Sequence, residues 1–136
     1  MTPEAKYRKR MEKDALKVYP DMQWIRLENM FAAGVPDIVV TEGGITLWIE
    51  AKWVEFKNFT DQIKIGLSLG QKIFFVNLLK AGGYGILAIG TPLGEFYIPI
   101  EYAVALYEEE FSIEQLIDMS SASNIVDILL IFIGGY

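Results

Sequence analysis

The sequence predicts an α/β fold in which a central mixed β-sheet is flanked by helices and followed by a helical C-terminal tail. Three observations indicate this fold: a basic, well-capped helical stretch at the start, runs of β-branched and apolar residues around a second helical stretch, and helix caps in the tail. The 136 residues suit a single domain. We expect its core over about residues 2–100 and a helical extension over about 101–136.

The first predicted helix runs from Pro3 to about Val18, because Thr2 is a good N-cap, Pro3 suits the first helical position and Pro20 stops it. The turn Glu42-Gly43-Gly44 is typical of a hairpin. Strands are predicted over residues 23–29, 36–41, 45–53, 84–89 and 95–100. A loop is predicted over residues 54–66, and further helices over 68–81, 101–109, from Ser112 onward, and after Asn124.

Cysteine and histidine are both absent from the chain. Their absence excludes disulfides, thiolate zinc sites, cysteine nucleophiles, imidazole bases and a Ser-His-Asp triad. Carboxylate, lysine, tyrosine and hydroxyl chemistry remains, and carboxylate and carbonyl oxygens suit Mg²⁺ or Mn²⁺. No apolar run approaches the roughly 20 residues that span a bilayer, and the N-terminus begins with charged residues. We therefore expect a cytoplasmic protein with no membrane partner.

The net charge of −6 is distributed unevenly along the chain. Residues 1–80 contain all 12 Lys and Arg residues with 10 Asp and Glu residues, whereas residues 81–136 contain 8 acidic residues and no basic ones. Phosphate binding depends on a local basic surface and not on the total charge. The asymmetry favours a polyanion-facing N-terminal half, although two ordinary solvated surfaces would give the same composition.

Three charged residues lie on two neighbouring predicted strands. Glu50 and Lys52 point to the same side of their strand, because side chains alternate along a strand. Asp37 begins the neighbouring strand and joins them if it faces that side. Two such carboxylates repel each other unless a cation lies between them. Taken alone, Asp37 also fits a turn aspartate, and the Glu50 and Lys52 pair also fits a half-exposed strand surface.

These residues carry a resemblance to a known family. Pro36-Asp37 followed by Glu50-Ala51-Lys52 resembles the signature of the PD-(D/E)xK nucleases. With Gly34-Val35-Pro36-Asp37 and the later Leu67-Ser68-Leu69-Gly70-Gln71, the chain is similar to the VRR-NUC branch, over roughly residues 2–89. Leu69 departs from the proline that relatives often have there. The resemblance implies a restriction-endonuclease-like core and Mg²⁺-dependent hydrolysis of DNA.

The resemblance also implies a role for each matched residue. Asp37, Glu50 and the Ala51 carbonyl would bind one or two divalent cations, Lys52 would position or deprotonate the attacking water, and Gln71 would orient either. The family also uses an acidic residue on the first helix, for which Glu4 is the first choice and Glu12 the reserve. We predict that the DNA contacts are basic residues, namely Lys6, Lys9, Arg10, Lys13, Arg26, Lys57, Lys64 and Lys72.

Several alternatives stay open at this point. Arg26 with Glu28 favours a cross-strand salt bridge over catalysis, and Trp48 and Trp53 fit packing, although Trp53 also suits a DNA groove. The resemblance points to branched DNA such as Holliday junctions, to phage-encoded relatives and to a homodimer. The apolar segment Ile125–Ile133 fits either a dimer contact or the protein's own core. A nuclease fold without activity, or a phosphodiesterase for other substrates, is the competing function.

Overall fold

The computed structural model describes residues 1–27 and 34–134. The helices α1 to α5 cover Pro3–Val18, Leu69–Lys80, Ile100–Ala103, Ile113–Met119 and Ile125–Ile133. A 3₁₀ turn at Val104–Leu106 follows α3 directly. The strands β1 to β7 cover Gln23–Arg26, Ile38–Glu42, Ile45–Trp53, Ile63–Lys64, Tyr84–Thr91, Gly94–Pro99 and Glu110–Phe111.

Five strands form the central sheet in the order β1-β2-β3-β5-β6. β3 pairs with β5 in parallel, and the other neighbours in this sheet are antiparallel. The parallel pair requires a crossover, and the chain segment containing α2 provides it. The sheet is therefore mixed and flanked by helices, as the sequence predicts.

The sheet separates two hydrophobic clusters. One contains the inner residues of α1 and α5 with one face of β2 and β3, and Tyr7, Ile49 and Leu129 are buried in it. The other contains Phe75 of α2 and Leu116 of α4 with the opposite face of β5 and β6. Burial on both faces explains the long apolar runs of the central strands.

Most predicted elements are confirmed, several to within a residue. The Gly43 and Gly44 turn has positive φ angles of 58° and 79°, as a two-residue type I′ hairpin requires. The predicted capping residues Thr2, Ser112 and Asn124 all accept hydrogen bonds from the first turns of their helices.

Three details of the prediction need correction. β1 ends at Arg26, so Leu27 lies beyond the strand, and residues 28 and 29 of its predicted extent lie outside the described residues. The predicted loop over 54–66 contains β4, which pairs with β7 in a separate two-stranded sheet. The predicted helix over 101–109 shortens to α3 and the 3₁₀ turn, because the backbone becomes extended at Tyr107 (ψ 123°), and Glu108 then has a positive φ of 62°.

The C-terminal helix α5 packs on α1 and β3. Ile128 and Leu129 are fully buried there, whereas Ile131 is 60% exposed on the opposite side. Of the two alternatives for this segment, the structure therefore has the one in which it completes the protein's own core. Within the part of the chain that the structure describes, no helix is long and apolar enough to cross a membrane.

Candidate active site

The β2–β3 hairpin brings the two sequence-predicted carboxylates together. Ile38 pairs with Ile49, and both side chains enter the cluster beneath α1 and α5. Since side chains alternate, Glu50 points to the other face of the sheet, and Asp37, just before β2, lies opposite it. The Asp37 carbonyl accepts a hydrogen bond from the Leu27 N–H at 2.6 Å. This bond ties the residue before β2 to the residue that follows β1.

Reciprocal hydrogen bonds hold the acidic pair in place. The Asp37 N–H donates to Glu50 Oε1 at 3.2 Å, and the Ala51 N–H donates to Asp37 Oδ2 at 3.3 Å. Each carboxylate is thus oriented by the backbone beside the other one.

Burial and mutual repulsion make this pair costly to ionise. The Glu50 side chain is 3% exposed. Burial first, and then the charge of Asp37, raise the pKa of Glu50 to about 8. Burial also raises the pKa of Asp37 from its ordinary value, and the nearby Glu4 adds to this, while Arg8 and the Ala51 N–H oppose it.

Lys52 offsets part of the negative charge. Its Nζ lies 3.6 Å from Glu50 Oε2, and its side chain is 18% exposed. The predicted same-face arrangement of Glu50 and Lys52 therefore holds, with Ala51 buried on the other face. A lysine in this position can approach both a bound anion and the carboxylate pair.

Glu4 reaches the site from the first turn of α1. Its Oε1 accepts a hydrogen bond from the Trp53 N–H at 3.2 Å, at the end of β3. Its Oε2 pairs with Arg8 Nη1 at 3.1 Å, one helical turn on. Glu12, the reserve choice, lines a pocket further along α1. The structure thus places Glu4, and not Glu12, at the edge of the candidate site.

Arg8 is a site residue that the sequence analysis missed. Its side chain is 15% exposed, and its positive charge opposes the rise in the pKa of Asp37 that burial causes. Its Nε–H is buried without a hydrogen-bond partner among the described residues. The spacing of four residues from Glu4 on a helix was the available clue, since such pairs share a face.

Gln71 opens α2 and acts as a capping residue. Its Oε1 accepts from the Ser68 N–H at 2.9 Å, and its own N–H donates to Ser68 Oγ at 3.1 Å. Gly34, with a φ of 94°, lies so close to this turn that a Cβ would overlap the Gly70 carbonyl. The helix start is therefore anchored to the loop ahead of Asp37, while the role of Gln71 toward Lys52 or a water stays a prediction.

The acidic pair fits a divalent cation. The two carboxylates could supply hard oxygen ligands, and a cation between them would relieve the repulsion that contributes to the raised pKa of Glu50. The Ala51 carbonyl stays a predicted ligand. Among the described residues, no group of three acidic side chains is arranged to bind a metal. Mg²⁺ usually keeps several water ligands and binds through one or two carboxylates, so the donor set is sufficient.

The predicted DNA-contacting residues have unequal surroundings. Lys6, Lys9 and Lys13 are exposed on α1. Arg26, Lys57 and Lys64 are exposed elsewhere in the N-terminal half. Arg10 instead pairs with Glu95 at 2.8 Å, and the Lys72 Nζ lies 4.7 Å from the centre of the Tyr107 ring. All remain predicted contacts, and Glu28, the predicted partner of Arg26, lies outside the described residues.

The two tryptophans of β3 have packing contacts. Trp48 meets the ring of Phe74 edge-on, and Trp53 lies against Tyr7. The Trp53 indole also donates to Glu55 at 2.6 Å. These contacts agree with the packing role predicted for both side chains.

A pocket of about 170 Å³ adjoins the site between α1 and the strands β1 and β2. Cations outnumber acids on its walls, and apolar side chains complete it; the lining residues are Met1, Ala5, Arg8, Lys9, Glu12, Trp24, Arg26 and Ile38. Arg8 belongs both to this pocket and to the acidic cluster. A basic surface therefore borders the carboxylate pair, as phosphate binding requires.

Comparison with known proteins identifies the fold through solved structures. Hjc from Archaeoglobus fulgidus, a Holliday junction resolvase from an archaeal hyperthermophile, is 21% identical, with a TM-score of 0.56 over 88% of this chain and 98% of that one. The chain has a restriction-endonuclease-like fold. The predicted fold class is thereby confirmed.

Other comparisons add less. The crystal structure of SSO0001 is 17% identical over 90% of this chain and 64% of that one, with a TM-score of 0.33. No protein-family model matches the chain. No curated protein matches it. The restriction-endonuclease-like fold thus rests on the structural likeness to Hjc.

Proposed function

We propose that the chain is a divalent-metal-dependent endonuclease that hydrolyses phosphodiester bonds of DNA. The observation that carries the proposal is the pair of half-buried Asp37 and buried Glu50, with the Lys52 ammonium 3.6 Å from Glu50, on a restriction-endonuclease-like fold. Carboxylates that repel each other are retained where a cation or a shared proton compensates them. A nuclease centre needs such a pair beside a positive charge.

Each residue has a distinct task in this proposal. Asp37, Glu50 and the Ala51 carbonyl would hold Mg²⁺ or Mn²⁺, which supplies an activated water and offsets charge on the phosphate when bound. Lys52 orients the water and offers its positive charge to the phosphate. Arg8 pairs with Glu4, and its positive charge opposes the rise in the pKa of Asp37.

Purified protein tests the proposal with labelled linear, hairpin, flap and four-way DNAs in Mg²⁺. We expect cleavage by the wild type, none by Asp37→Ala or the double variant Asp37→Ala/Glu50→Ala, and a loss of at least about 100-fold for Lys52→Ala. Matched controls are Asp118→Ala and Lys80→Ala, which remove exposed charges outside the site and should retain full activity. Robust cleavage by the double variant would refute the assignment.

The finer assignment concerns the substrate and the branch of the superfamily. Hjc resolves Holliday junctions, which supports branched DNA as the substrate, and the spacing of Gly34-Val35-Pro36-Asp37, Glu50-Ala51-Lys52 and Gln71 supports a VRR-NUC-like nuclease. Symmetric cutting of a junction favours a homodimer. A nuclease of this kind also suits a phage-encoded protein that acts in the host cytoplasm.

An inactive binding module with a nuclease fold is the second candidate. The absence of a three-carboxylate group among the described residues favours it, as does the acidity of residues 81–136. Titration with Mn²⁺ separates the two functions, because an active centre binds the ion through Asp37 and Glu50. Loss of that binding in Asp37→Ala supports the nuclease, whereas no binding by the wild type supports the module.

A further inference from the structure

An exposed aromatic residue, Phe59, lies in the loop between β3 and β4. Its side chain is 58% exposed, whereas Val54 and Phe56 in the same loop are 6% and 1% exposed. The loop begins directly after Trp53, the last residue of the strand that carries Glu50 and Lys52. The loop that follows the candidate active site therefore has two buried side chains, Val54 and Phe56, and then the solvent-exposed ring of Phe59.

Hydrogen bonds fix the turn that presents this ring. The Asp61 carboxylate accepts from the N–H groups of Lys57 and Asn58 at 2.9 and 3.0 Å, and the Asp61 N–H donates to the Asn58 carbonyl at 3.2 Å. Beyond the turn, Ile63 and Lys64 form β4 and pair with β7. Phe59 therefore lies on a hydrogen-bonded turn, with buried Phe56 before it and the paired strand β4 after it.

Single exposed apolar residues are common and need no explanation by themselves. Here the exposed ring belongs to a turn with internal hydrogen bonds, and in the sequence it lies between the exposed residues Lys57 and Lys64. Aromatic rings next to cations bind single-stranded nucleic acid, since bases stack on the ring and phosphates contact the charges. Because these hydrogen bonds already fix the backbone of the turn, little backbone entropy is lost when a base stacks on the ring.

We propose that Phe59 stacks on an unpaired base of the DNA substrate, while Lys57 and Lys64 contact the adjacent phosphates. The inference rests on the proposed function for the nature of the substrate and deepens it. It gives the loop a specificity role, because a fully paired duplex offers no free base face to the ring except at its ends. Branched and bulged DNAs expose such bases.

The test measures binding without cleavage, in EDTA, by anisotropy of a labelled hairpin with an unpaired 2-aminopurine and of its fully paired counterpart. We expect Phe59→Ala to weaken binding of the unpaired probe by about 5-fold to 100-fold, as loss of one stacked base predicts. Binding of the paired probe should change by less than about twofold. Quenching of 2-aminopurine by the wild type should be absent in Phe59→Ala and restored in Phe59→Trp.

Tyr102→Ala is the matched control, because Tyr102 is an aromatic residue of similar exposure, 53%, on α3. It should bind both probes as the wild type does. Equal losses in Phe59→Ala and Tyr102→Ala, equal losses for the two probes, or no loss in Phe59→Ala would each overturn the inference. No preference of the wild type for the unpaired probe would overturn it as well.

The outcome is separable from that of the proposed function. Selective binding through Phe59 by a protein that does not cut DNA would support the loop's role and reject the nuclease. Cleavage of branched DNA that is insensitive to Phe59→Ala, with unchanged binding, would reject the loop's role and leave the nuclease intact.

Discussion

Burial of Glu50 has consequences for the stability of the metal-free protein. Its pKa rises from the ordinary value of 4.5 to about 8 in the folded state, because burial and Asp37 disfavour its charge. Between those two pH values the folded protein binds the extra proton and the unfolded chain does not. The free energy of unfolding therefore decreases as the pH rises through this window.

We expect Glu50→Gln to remove most of this pH dependence. At pH 8 and without metal, the variant should be more stable than the wild type by on the order of 2 kcal/mol, while the two should converge near pH 4. Urea unfolding at several pH values in EDTA measures the difference. Parallel stability curves for wild type and variant would contradict the proposed cost of ionising Glu50.

Gly34 is a second residue with a specific requirement. Its φ of 94° strains any side chain, and a Cβ would also overlap the Gly70 carbonyl. We expect Gly34→Ala to destabilise the protein by about 3 kcal/mol, which combines strain and overpacking. Thermal and urea unfolding measure the change.

Gly66→Ala is the matched control for Gly34→Ala. Gly66 has a similar φ of 84° but no atom within 4 Å of the added Cβ, so only strain of about 1 kcal/mol applies. Equal effects of the two substitutions would mean that contact with the start of α2 contributes nothing.

At the scale of elements, the capping box at the start of α2 has a role that can be separated from catalysis. Ser68 and Gln71 exchange hydrogen bonds, so Ser68→Ala and Gln71→Ala should each reduce stability by about 1 kcal/mol. If Gln71 also orients Lys52 or a water, Gln71→Ala should lose much more cleavage activity than Ser68→Ala. Cleavage rates and unfolding curves of both variants decide this, and equal activities would leave Gln71 with capping alone.

Local patterns predicted the elements that depend on neighbouring residues. The Gly43-Gly44 turn and the caps at Thr2, Ser112 and Asn124 were predictable because each involves residues a few positions apart. The pairing of β4 with β7 was not, because two-residue strands have no periodicity and their partners lie far apart in the chain.

The candidate site was predictable where strand alternation applies, and less so elsewhere. Glu50 and Lys52 share a face because they are two residues apart on one strand. The choice between Glu4 and Glu12 depends on where α1 crosses the sheet, which sequence spacing does not determine. The contribution of Arg8 depends in addition on its burial beside Asp37, which only the packed structure reveals.

At the scale of the whole molecule, α5 contributes one wall of the core. We expect Leu129→Ala to destabilise the protein by about 3 kcal/mol, because Leu129 is fully buried in the hydrophobic cluster between the sheet and the helices α1 and α5. Ile131→Ala, on the 60% exposed side of the same helix, should change stability by less than about 0.5 kcal/mol. Urea unfolding compares the two variants.

The Ile131→Ala variant also tests the predicted homodimer. Sedimentation velocity should give the same mass for Ile131→Ala and wild type if the outer side of α5 takes no part in self-association. A shift to a smaller species would make this side of the helix the dimer contact.

The β2–β3 hairpin also bears on how the molecule folds. Asp37 and Glu50 lie 13 residues apart and are brought together by a two-residue turn, so closing that loop has a small entropic penalty. Hairpins form within about 1–10 μs, whereas the parallel pairing of β3 with β5 must wait for the crossover through α2. The candidate site is thus a unit of low contact order, and its two acidic residues come together while water still screens their charges.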